Sequence, residues 1–256
     1  MGMTLPHLLH AVRETVRISA PTVLDAALGR LTPEICDARL DRWSQRLLER
    51  ARVELVTSGV ENAPPGEAFI VMSNHQSLYD IPVVYQSLRR RLRMVAKREL
   101  FRVPLWGAAM RRAGFICVDR SDRSAAIASL AAARGELARG TSIWIAPEGT
   151  RSETGRLGEF KQGGFHLAID TGARILPLTI SGTRAVLPSH GRRVRNGVTV
   201  RVTVHPPIDT AAYGSERRAE LVAAVRAAIE SALDPTQGTV PGPPVPDQDS
   251  SVLPMR

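Results

Sequence analysis

The chain has 256 residues, enough for one large domain or two small ones, and its 34 Lys and Arg residues outnumber its 25 Asp and Glu residues by nine. Apolar residues make up 43% and charged residues 23%, which excludes a wholly disordered chain and a protein with many membrane spans. Two cysteines, Cys36 and Cys117, are too few for a disulfide framework or a four-cysteine zinc site. The first residues lack the pattern of a secretory signal, so we expect a reducing, cytoplasmic environment.

In chain order, the apolar pattern first predicts two helices, at 5–29 and 34–52, with Thr32 as the N-cap and Pro33 at the first helical position. After residue 52, short runs rich in Val and Ile alternate with helical patterns. The predicted strands are 52–58, 68–73, 92–97, 115–118, 142–147, 175–181 and 198–205. The predicted helices among them are 77–88, 103–113, 123–139, 164–171 and 215–233. This alternation predicts an α/β fold with a largely parallel central sheet, with a mixed edge as the alternative, flanked by helices and preceded by the N-terminal helical pair.

The same pattern divides the chain into three parts. Residues 1–52 form an N-terminal helical segment, which we expect to contact a membrane surface, and residues 53–233 form the α/β domain. Residues 234–256 contain six prolines and no apolar periodicity, so they are predicted to be a disordered tail.

The positive charge is concentrated in one segment. From Arg89 to Arg112, nine basic residues oppose Glu99 alone, so this segment has a net charge of +8 out of +9 for the chain. Such a cluster attracts phosphate groups, nucleic acid or an acidic membrane surface, and an ordinary solvated basic face is the alternative. Aromatic residues make up only 4% of the chain, which argues against single-stranded nucleic acid as a partner.

A histidine and an aspartate five residues apart, His75 and Asp80, follow the predicted strand 68–73. Ligands of open α/β sheets bind at the carboxyl ends of strands, so His75 stands where a reactive group is expected. Residues five apart in a regular helix point about 140° away from each other, so we predict that His75 lies in the turn before the helix. From there Asp80 can accept one imidazole N–H and leave the other nitrogen free as a general base. A hydrogen-bonded structural histidine is the alternative.

A second motif, Glu148-Gly-Thr-Arg151, follows the predicted strand 142–147. Between the two motifs, Arg120 comes just after the strand 115–118, and farther on the strand 175–181 contains a proline. These four blocks, in this order, resemble the glycerolipid acyltransferase family, which includes the 1-acylglycerol-3-phosphate acyltransferases. The resemblance covers roughly residues 52–183.

The resemblance implies a role for each block. In the first, His75 would be the catalytic base and Asp80 its orienting partner. The second and third would bind the glycerol phosphate of the acceptor, through Arg120, Glu148, Gly149, Thr150 and Arg151. The fourth is associated with handling of the acyl donor or with support of the fold.

The chemistry of these side chains agrees with the resemblance. An alcohol is a weak nucleophile and a thioester is already activated, so one positioned base is the main requirement and no metal or organic cofactor is expected. Arg120 and Arg151 can bind a phosphate in bidentate geometry. Ser77, Asn74 or backbone N–H groups at the helix start are candidates to stabilise the oxyanion.

The chain has 32 Arg and only two Lys, and both lysines fall beside the predicted site. Lys97 ends the strand 92–97, and Lys161 shortly precedes Gly163 and Gly164 at a predicted helix start. A compact ammonium and the free N–H groups of a helix N-terminus suit a phosphate, so both lysines are candidate ligands. Chance retention of two lysines is the alternative.

The sequence therefore predicts an O-acyltransferase that transfers a fatty acyl group from acyl-CoA or acyl-carrier protein to the sn-2 hydroxyl of lysophosphatidic acid, giving phosphatidic acid. We expect it at the cytoplasmic face of the cell membrane, attached peripherally through the N-terminal helices, the helix around Trp106 and the basic segment 89–112. The alternatives are the same chemistry on glycerol 3-phosphate, another lysophospholipid or a lyso-aminolipid, and a non-catalytic basic protein that binds membrane or nucleic acid.

Overall fold

The secondary structure alternates between helices and strands after an N-terminal helical pair, in a computed structural model that describes residues 5–104, 106–118, 123–191 and 193–234. The helices are α1 (Leu5–Ala27), α2 (Pro33–Arg50), α3 (Asp80–Leu88), α4 (Arg98–Phe101), α5 (Trp106–Arg112), α6 (Arg123–Ala138), α7 (Gly163–Thr171), α8 (Thr183–Val186) and α9 (Arg218–Ser231). The strands are β1 (Glu54–Ser58), β2 (Ile70–Ser73), β3 (Leu92–Lys97), β4 (Ile116–Val118), β5 (Ser142–Ile145), β6 (Ile175–Ser181) and β7 (Thr199–Val204). The predicted tail, apart from its first residue, lies outside the described residues.

The strands form one sheet in the order β1-β7-β6-β2-β5-β3-β4. The neighbouring pairs from β6 to β4 are all parallel, whereas β7 is antiparallel to β6 and parallel to β1. The predicted α/β fold with a largely parallel sheet is confirmed, and the sheet is mixed at the β1–β7 side. Because five neighbouring strands run in one direction, their carboxyl ends share one edge of the sheet.

Side chains along β2 and at Phe69, which directly precedes it, alternate between two hydrophobic cores, one on each face of the sheet. Phe69 and Val71 pack on the face covered by α2 and α3, and Ile70 and Met72 pack on the face covered by α6, α7 and α9. All four are completely buried. Burial of each such side chain stabilises the fold by roughly 1.5–3 kcal/mol, so the central strand is firmly held on both faces.

The start of α2 follows its sequence signals. Thr32 is the N-cap, and its side-chain oxygen accepts the backbone N–H of Ile35 at 3.3 Å. Pro33 occupies the first turn, where its missing N–H leaves no intrahelical bond unmade. Both predictions for this helix start are confirmed.

Three predicted helix starts are wrong by about one turn. The helices predicted from residues 77, 103 and 215 begin at Asp80, Trp106 and Arg218, and the short helices α4 and α8 were not predicted at all. For α3 the reason is visible: the carboxylate of Asp80 accepts the backbone N–H groups of Gln76 and Ser77, at 2.7 and 2.9 Å. These contacts hold residues 76 and 77 in a loop and delay the helix.

Arg93 of the basic segment is part of the core. It is 1% exposed, pairs with Asp37 of α2, and donates to the carbonyl oxygens of Leu92 and Ala113. Desolvation opposes its charge, but Cys36 and Asp37 outweigh this effect and raise the pKa of Arg93. The arginine therefore fastens α2 to the sheet.

Two further arginines of that segment are also anchors. Arg90 donates to the carbonyl oxygens of Ala63 and Pro64, each at 2.8 Å, and its guanidinium lies over the ring of Phe69. Arg91 pairs with Glu34 of α2. The expectation that residues 89–112 form one membrane-facing cluster is therefore wrong for Arg93, which is buried in the core. Arg90 and Arg91 each hold a contact within the fold, and membrane binding by the rest of the segment stays a prediction.

Among the described residues, no helix has both the length and the apolar character needed to cross a membrane.

Candidate active site

Two loops meet at the carboxyl edge of the sheet, residues 74–79 after β2 and residues 146–162 after β5. Because β2 and β5 are parallel neighbours, with Met72 opposite Ile145, the loops start side by side. The sheet therefore brings the first and third sequence blocks together.

His75 and Asp80 are in contact, as predicted. His75 lies in the loop before α3, and its Nδ1 is 2.7 Å from Oδ2 of Asp80. The Asp80 side chain is completely buried and the His75 side chain is 18% exposed. Since Oδ2 also accepts two backbone N–H groups, it acts as an acceptor here, so Nδ1 carries the proton and Nε2 is left as the basic nitrogen of the neutral ring. The geometry is that of an oriented general base, and the catalytic role of the pair stays a prediction.

Trp144 is a neighbour of His75 that the motifs do not mark. The two rings meet edge to face, with centroids 6.0 Å apart and planes at 88°. Trp144 is itself fixed, because its indole N–H donates to Oγ of Ser73 at 2.9 Å. Trp144 pairs with Val71 in the parallel register of β5 and β2, and this pairing places its ring beside the end of β2.

The side chains of Asn74 and Ser77 are buried and engaged, so the structure does not support them as oxyanion donors. Asn74 forms a two-bond contact with the backbone of Ile180, at 2.8 Å in both directions. Ser77 Oγ donates to the carbonyl oxygen of Leu187 at 2.7 Å. The backbone N–H groups of residues 75–77 are also occupied, by carboxylates. These donors hold the loop in shape, and oxyanion stabilisation by other N–H groups at the helix start stays a prediction.

Glu148, which the resemblance associates with acceptor binding, lies buried between the two loops. It is 5% exposed, and its two carboxylate oxygens accept backbone N–H groups, Oε1 from His75 and Oε2 from Gly158, each at 2.8 Å. Burial raises the pKa of Glu148, and these two hydrogen bonds and the nearby His75 ring oppose the rise. The carboxylate is thus a structural link between the two loops.

The rest of the third block faces outward. Gly149 has a φ of 73° and its N–H donates to the carbonyl oxygen of Ala146 at 3.0 Å, so a tight turn puts this residue in the left-handed region that favours glycine. Gly149 and Thr150 are exposed, and Arg151 is half-buried. Within the part of the chain that the structure describes, the Arg151 guanidinium has no hydrogen bond or ion pair, so its donors are available to a ligand.

The two lysines and Arg120 are placed only in part. Lys161 precedes α7 as predicted, its side chain is 52% exposed, and its Nζ lies 3.8 Å from a carboxylate oxygen of Glu159. Lys97 ends β3 opposite Val118, at the same carboxyl edge as His75, but its side chain lies outside the described part. Arg120 lies outside the described residues altogether. Phosphate binding by these three residues stays a prediction.

Among the described residues, no group of three or more His, Cys, Asp or Glu side chains is arranged to hold a metal ion.

Comparison with known proteins agrees with this site. A family model described as Acyltransferase matches residues 54–181, which include both loops. The chain is 36% identical over 151 residues to a chloroplast 1-acyl-sn-glycerol-3-phosphate acyltransferase of Arabidopsis thaliana, a match that covers 59% of this chain and 42% of the relative. It is 34% identical over 165 residues to the 1-acyl-sn-glycerol-3-phosphate acyltransferase of Salmonella typhimurium, which covers 64% of this chain and 66% of that one.

The fold is similar to that of a crystal structure of PlsC from Thermotoga maritima, a 1-acyl-sn-glycerophosphate acyltransferase. The TM-score is 0.71 at 27% sequence identity, and the match covers 90% of this chain and 95% of that one. The chain spans less than half the length of the plant relative and about two thirds of the bacterial one. From the family model, the relatives and the common fold, the chain belongs to the acyltransferase family.

Proposed function

We propose that the chain is a 1-acylglycerol-3-phosphate O-acyltransferase that uses acyl-CoA or acyl-carrier protein as its donor. The observation that carries the proposal is the pairing of His75 with buried Asp80. Arg151, whose guanidinium is unengaged within the described part, directly precedes Ser152, whose N–H donates to the carbonyl oxygen of His75. The names of the relatives from Arabidopsis and Salmonella support the same reaction.

In the proposed mechanism, Nε2 of His75 accepts the proton of the sn-2 hydroxyl as that oxygen attacks the thioester carbonyl. A C–O bond forms, the carbonyl becomes an oxyanion, and its collapse breaks the C–S bond. The imidazolium then returns the proton to the leaving sulfur, so the products are phosphatidic acid and a free thiol. Asp80 favours this path because its carboxylate stabilises the imidazolium and keeps Nε2 free in the resting enzyme.

Acceptor recognition is assigned chiefly to Arg151, because a planar guanidinium matches two oxygens of a phosphate. Arg120, Lys97 and Lys161 are proposed as further positive groups around it. A phosphate-bearing acceptor is therefore favoured over a lyso-aminolipid without phosphate. Because the thioester supplies the activated acyl group, the proposed reaction needs no metal or organic cofactor.

We propose peripheral attachment to an anionic membrane at the cytoplasmic face, through α1. Three apolar side chains of α1 are 55–58% exposed, those of Leu9, Val16 and Leu24. On a regular helix these three side chains lie within an arc of about 80°. The opposite side of α1 is buried, with Glu14 and Ala26 only 1% and 3% exposed. Arg13 falls within the same arc and Arg17 at its edge, and both are exposed, so this face offers apolar side chains to the acyl boundary and positive charge to anionic head groups.

The reaction is tested by incubating purified protein with labelled oleoyl-CoA or oleoyl-carrier protein and a panel of acceptors. The panel holds lysophosphatidic acid, glycerol 3-phosphate, lysophosphatidylcholine and a lyso-aminolipid. We expect labelled phosphatidic acid to form fastest from lysophosphatidic acid with at least one donor. Faster product formation from another acceptor would contradict the assigned substrate, and no product from any pair would contradict the function.

The attachment is tested with vesicles containing anionic lipid. Replacing Val16 and Leu24 together by Glu should reduce co-sedimentation. The matched control, Val60→Glu, changes an apolar side chain that is 51% exposed outside α1, and it should leave co-sedimentation unchanged. Equal binding of the double variant and the wild type would contradict attachment through α1.

A further inference from the structure

The backbone of His75 is held on both sides by the loop that follows β5. Its N–H donates to Oε1 of Glu148 at 2.8 Å, and its carbonyl oxygen accepts the N–H of Ser152 at 2.7 Å. These two bonds continue the contact between the two strands beyond their ends, so the position of the His75 main chain depends on the third sequence block.

Glu148 also binds the far end of its own loop. Its second oxygen, Oε2, accepts the N–H of Gly158 at 2.8 Å. A Cβ atom at Gly158 would lie only 3.0 Å from this oxygen, so the close approach depends on the glycine. One carboxylate therefore connects His75 to the turn that starts the loop and to the segment that closes it.

The chemistry of this contact requires a carboxylate. A glutamate presents two acceptor oxygens, which match the two N–H donors from His75 and Gly158. A glutamine presents one acceptor and one NH₂ group, so one of the two backbone donors would face another donor and lose its partner. A hydrogen bond to a charged acceptor is stronger than a neutral one, so its loss can shift a loop.

We propose that Glu148 is a positioning residue for the catalytic base: it sets the place of His75 and does not bind the acceptor. The inference rests on the proposed acyl transfer, in which Nε2 of His75 must reach the acceptor hydroxyl. A misplacement of about 1 Å can cost on the order of a hundredfold in rate without weakening the contacts that bind the substrate. Loss of Glu148 therefore acts on turnover and leaves acceptor affinity unchanged.

The test compares Glu148→Gln with Glu153→Gln, a matched control in the same loop with a side chain that is 71% exposed. We measure kcat and the acceptor KM for lysophosphatidic acid at saturating acyl donor, and record ¹⁵N–¹H NMR spectra of the imidazoles in ¹⁵N-histidine protein. We expect Glu148→Gln to lower kcat at least tenfold, to keep KM within twofold, and to shift the His75 ring signals. The control variant should match the wild type in all three.

A tenfold rise in KM with unchanged kcat would make Glu148 an acceptor ligand and overturn the proposal. Unchanged His75 ring signals in a folded variant would overturn it as well. If Glu148→Gln does not fold, Gly158→Ala keeps the carboxylate and presses a methyl group against it, and we expect the same signature at smaller amplitude. The ring signals need no substrate, so a wild-type protein without transferase activity would reject the proposed function and still leave the positioning measurable.

Discussion

Oδ2 of Asp80 lies 2.7 Å from Nδ1 of His75, and three hydrogen bonds converge on that one oxygen because the backbone N–H groups of Gln76 and Ser77 point to it as well. The same carboxylate thus shapes the loop and orients the imidazole. Position five after the histidine is the first residue of α3, so the pair forms across a helix start and not along a helix face.

Changing Asp80 to Asn should lower kcat by about 10²–10⁴, because the amide does not stabilise the imidazolium and does not fix its tautomer. Steady-state kinetics with lysophosphatidic acid measure the effect. Asp170→Asn, an exposed residue at the end of α7, is the control and should retain wild-type kcat. Wild-type turnover in a folded Asp80→Asn protein would remove Asp80 from the mechanism.

Changing Arg151 to Ala should raise the acceptor KM about ten- to a hundredfold, because a charge-assisted hydrogen bond is worth roughly 1.5–3 kcal/mol. Arg151→Lys should recover little of the loss, since an ammonium cannot form the two parallel bonds of a guanidinium. Acceptor titrations at saturating donor decide the matter. Arg156→Ala, an exposed arginine in the same loop, is the control, and an unchanged KM in both Arg151 variants would refute the assignment.

Changing Arg93 to Gln should lower the free energy of unfolding by about 3 kcal/mol, because it removes the buried partner of Asp37 and leaves carbonyl oxygens unsatisfied. The exposed Arg89, changed to Gln, should shift it by less than about 0.5 kcal/mol. Urea unfolding measures both. Equal, small effects of the two substitutions would mean that Arg93 is not an anchor.

His205 should make the fold sensitive to acid. Thr179 donates its hydroxyl proton to the carbonyl oxygen of Ile229, so Nε2–H of His205 donates to Thr179 Oγ1, and burial lowers the pKa of His205. Below the ordinary histidine pKa of about 6.5, the unfolded chain therefore binds more protons than the folded chain. The contribution of His205 to the free energy of unfolding is full above that pH and is lost as the pH falls.

The corresponding variant is His205→Gln, whose amide N–H can replace the ring N–H and does not titrate. Its loss of unfolding free energy between pH 7.5 and pH 5 should be smaller than that of the wild type. Thermal unfolding at the two pH values measures the difference. Identical losses in both proteins would show that His205 does not titrate within the fold.

The sequence was sufficient for features that depend on local pattern. Runs rich in Val and Ile predicted each of the seven strands in the described residues within two positions, and Thr32 with Pro33 marked the start of α2. The contact between His75 and Asp80 was predictable because only five positions separate them. The start of α3 was missed because the Asp80 carboxylate, three residues after Ser77, accepts the backbone N–H of Ser77 and holds that residue in the loop.

Features that depend on strand order could not be predicted. The contact of Glu148 with the backbone of His75 exists because β5 lies beside β2, and no local pattern encodes that neighbourhood. Arg93 looked like one of several surface arginines because its partner Asp37 lies on a helix far away in sequence. For the same reason, the side chains of Asn74 and Ser77 looked available when they are held by Ile180 and Leu187.

The most direct test of the central claim is the rate of phosphatidic acid formation by His75→Ala beside the wild type, at saturating lysophosphatidic acid and acyl donor. Circular dichroism and thermal unfolding establish that the variant is folded. We predict a rate lower by about 10²–10⁴, the contribution of a positioned general base, with acceptor KM unchanged. A folded His75→Ala protein that turns over at the wild-type rate would contradict the account.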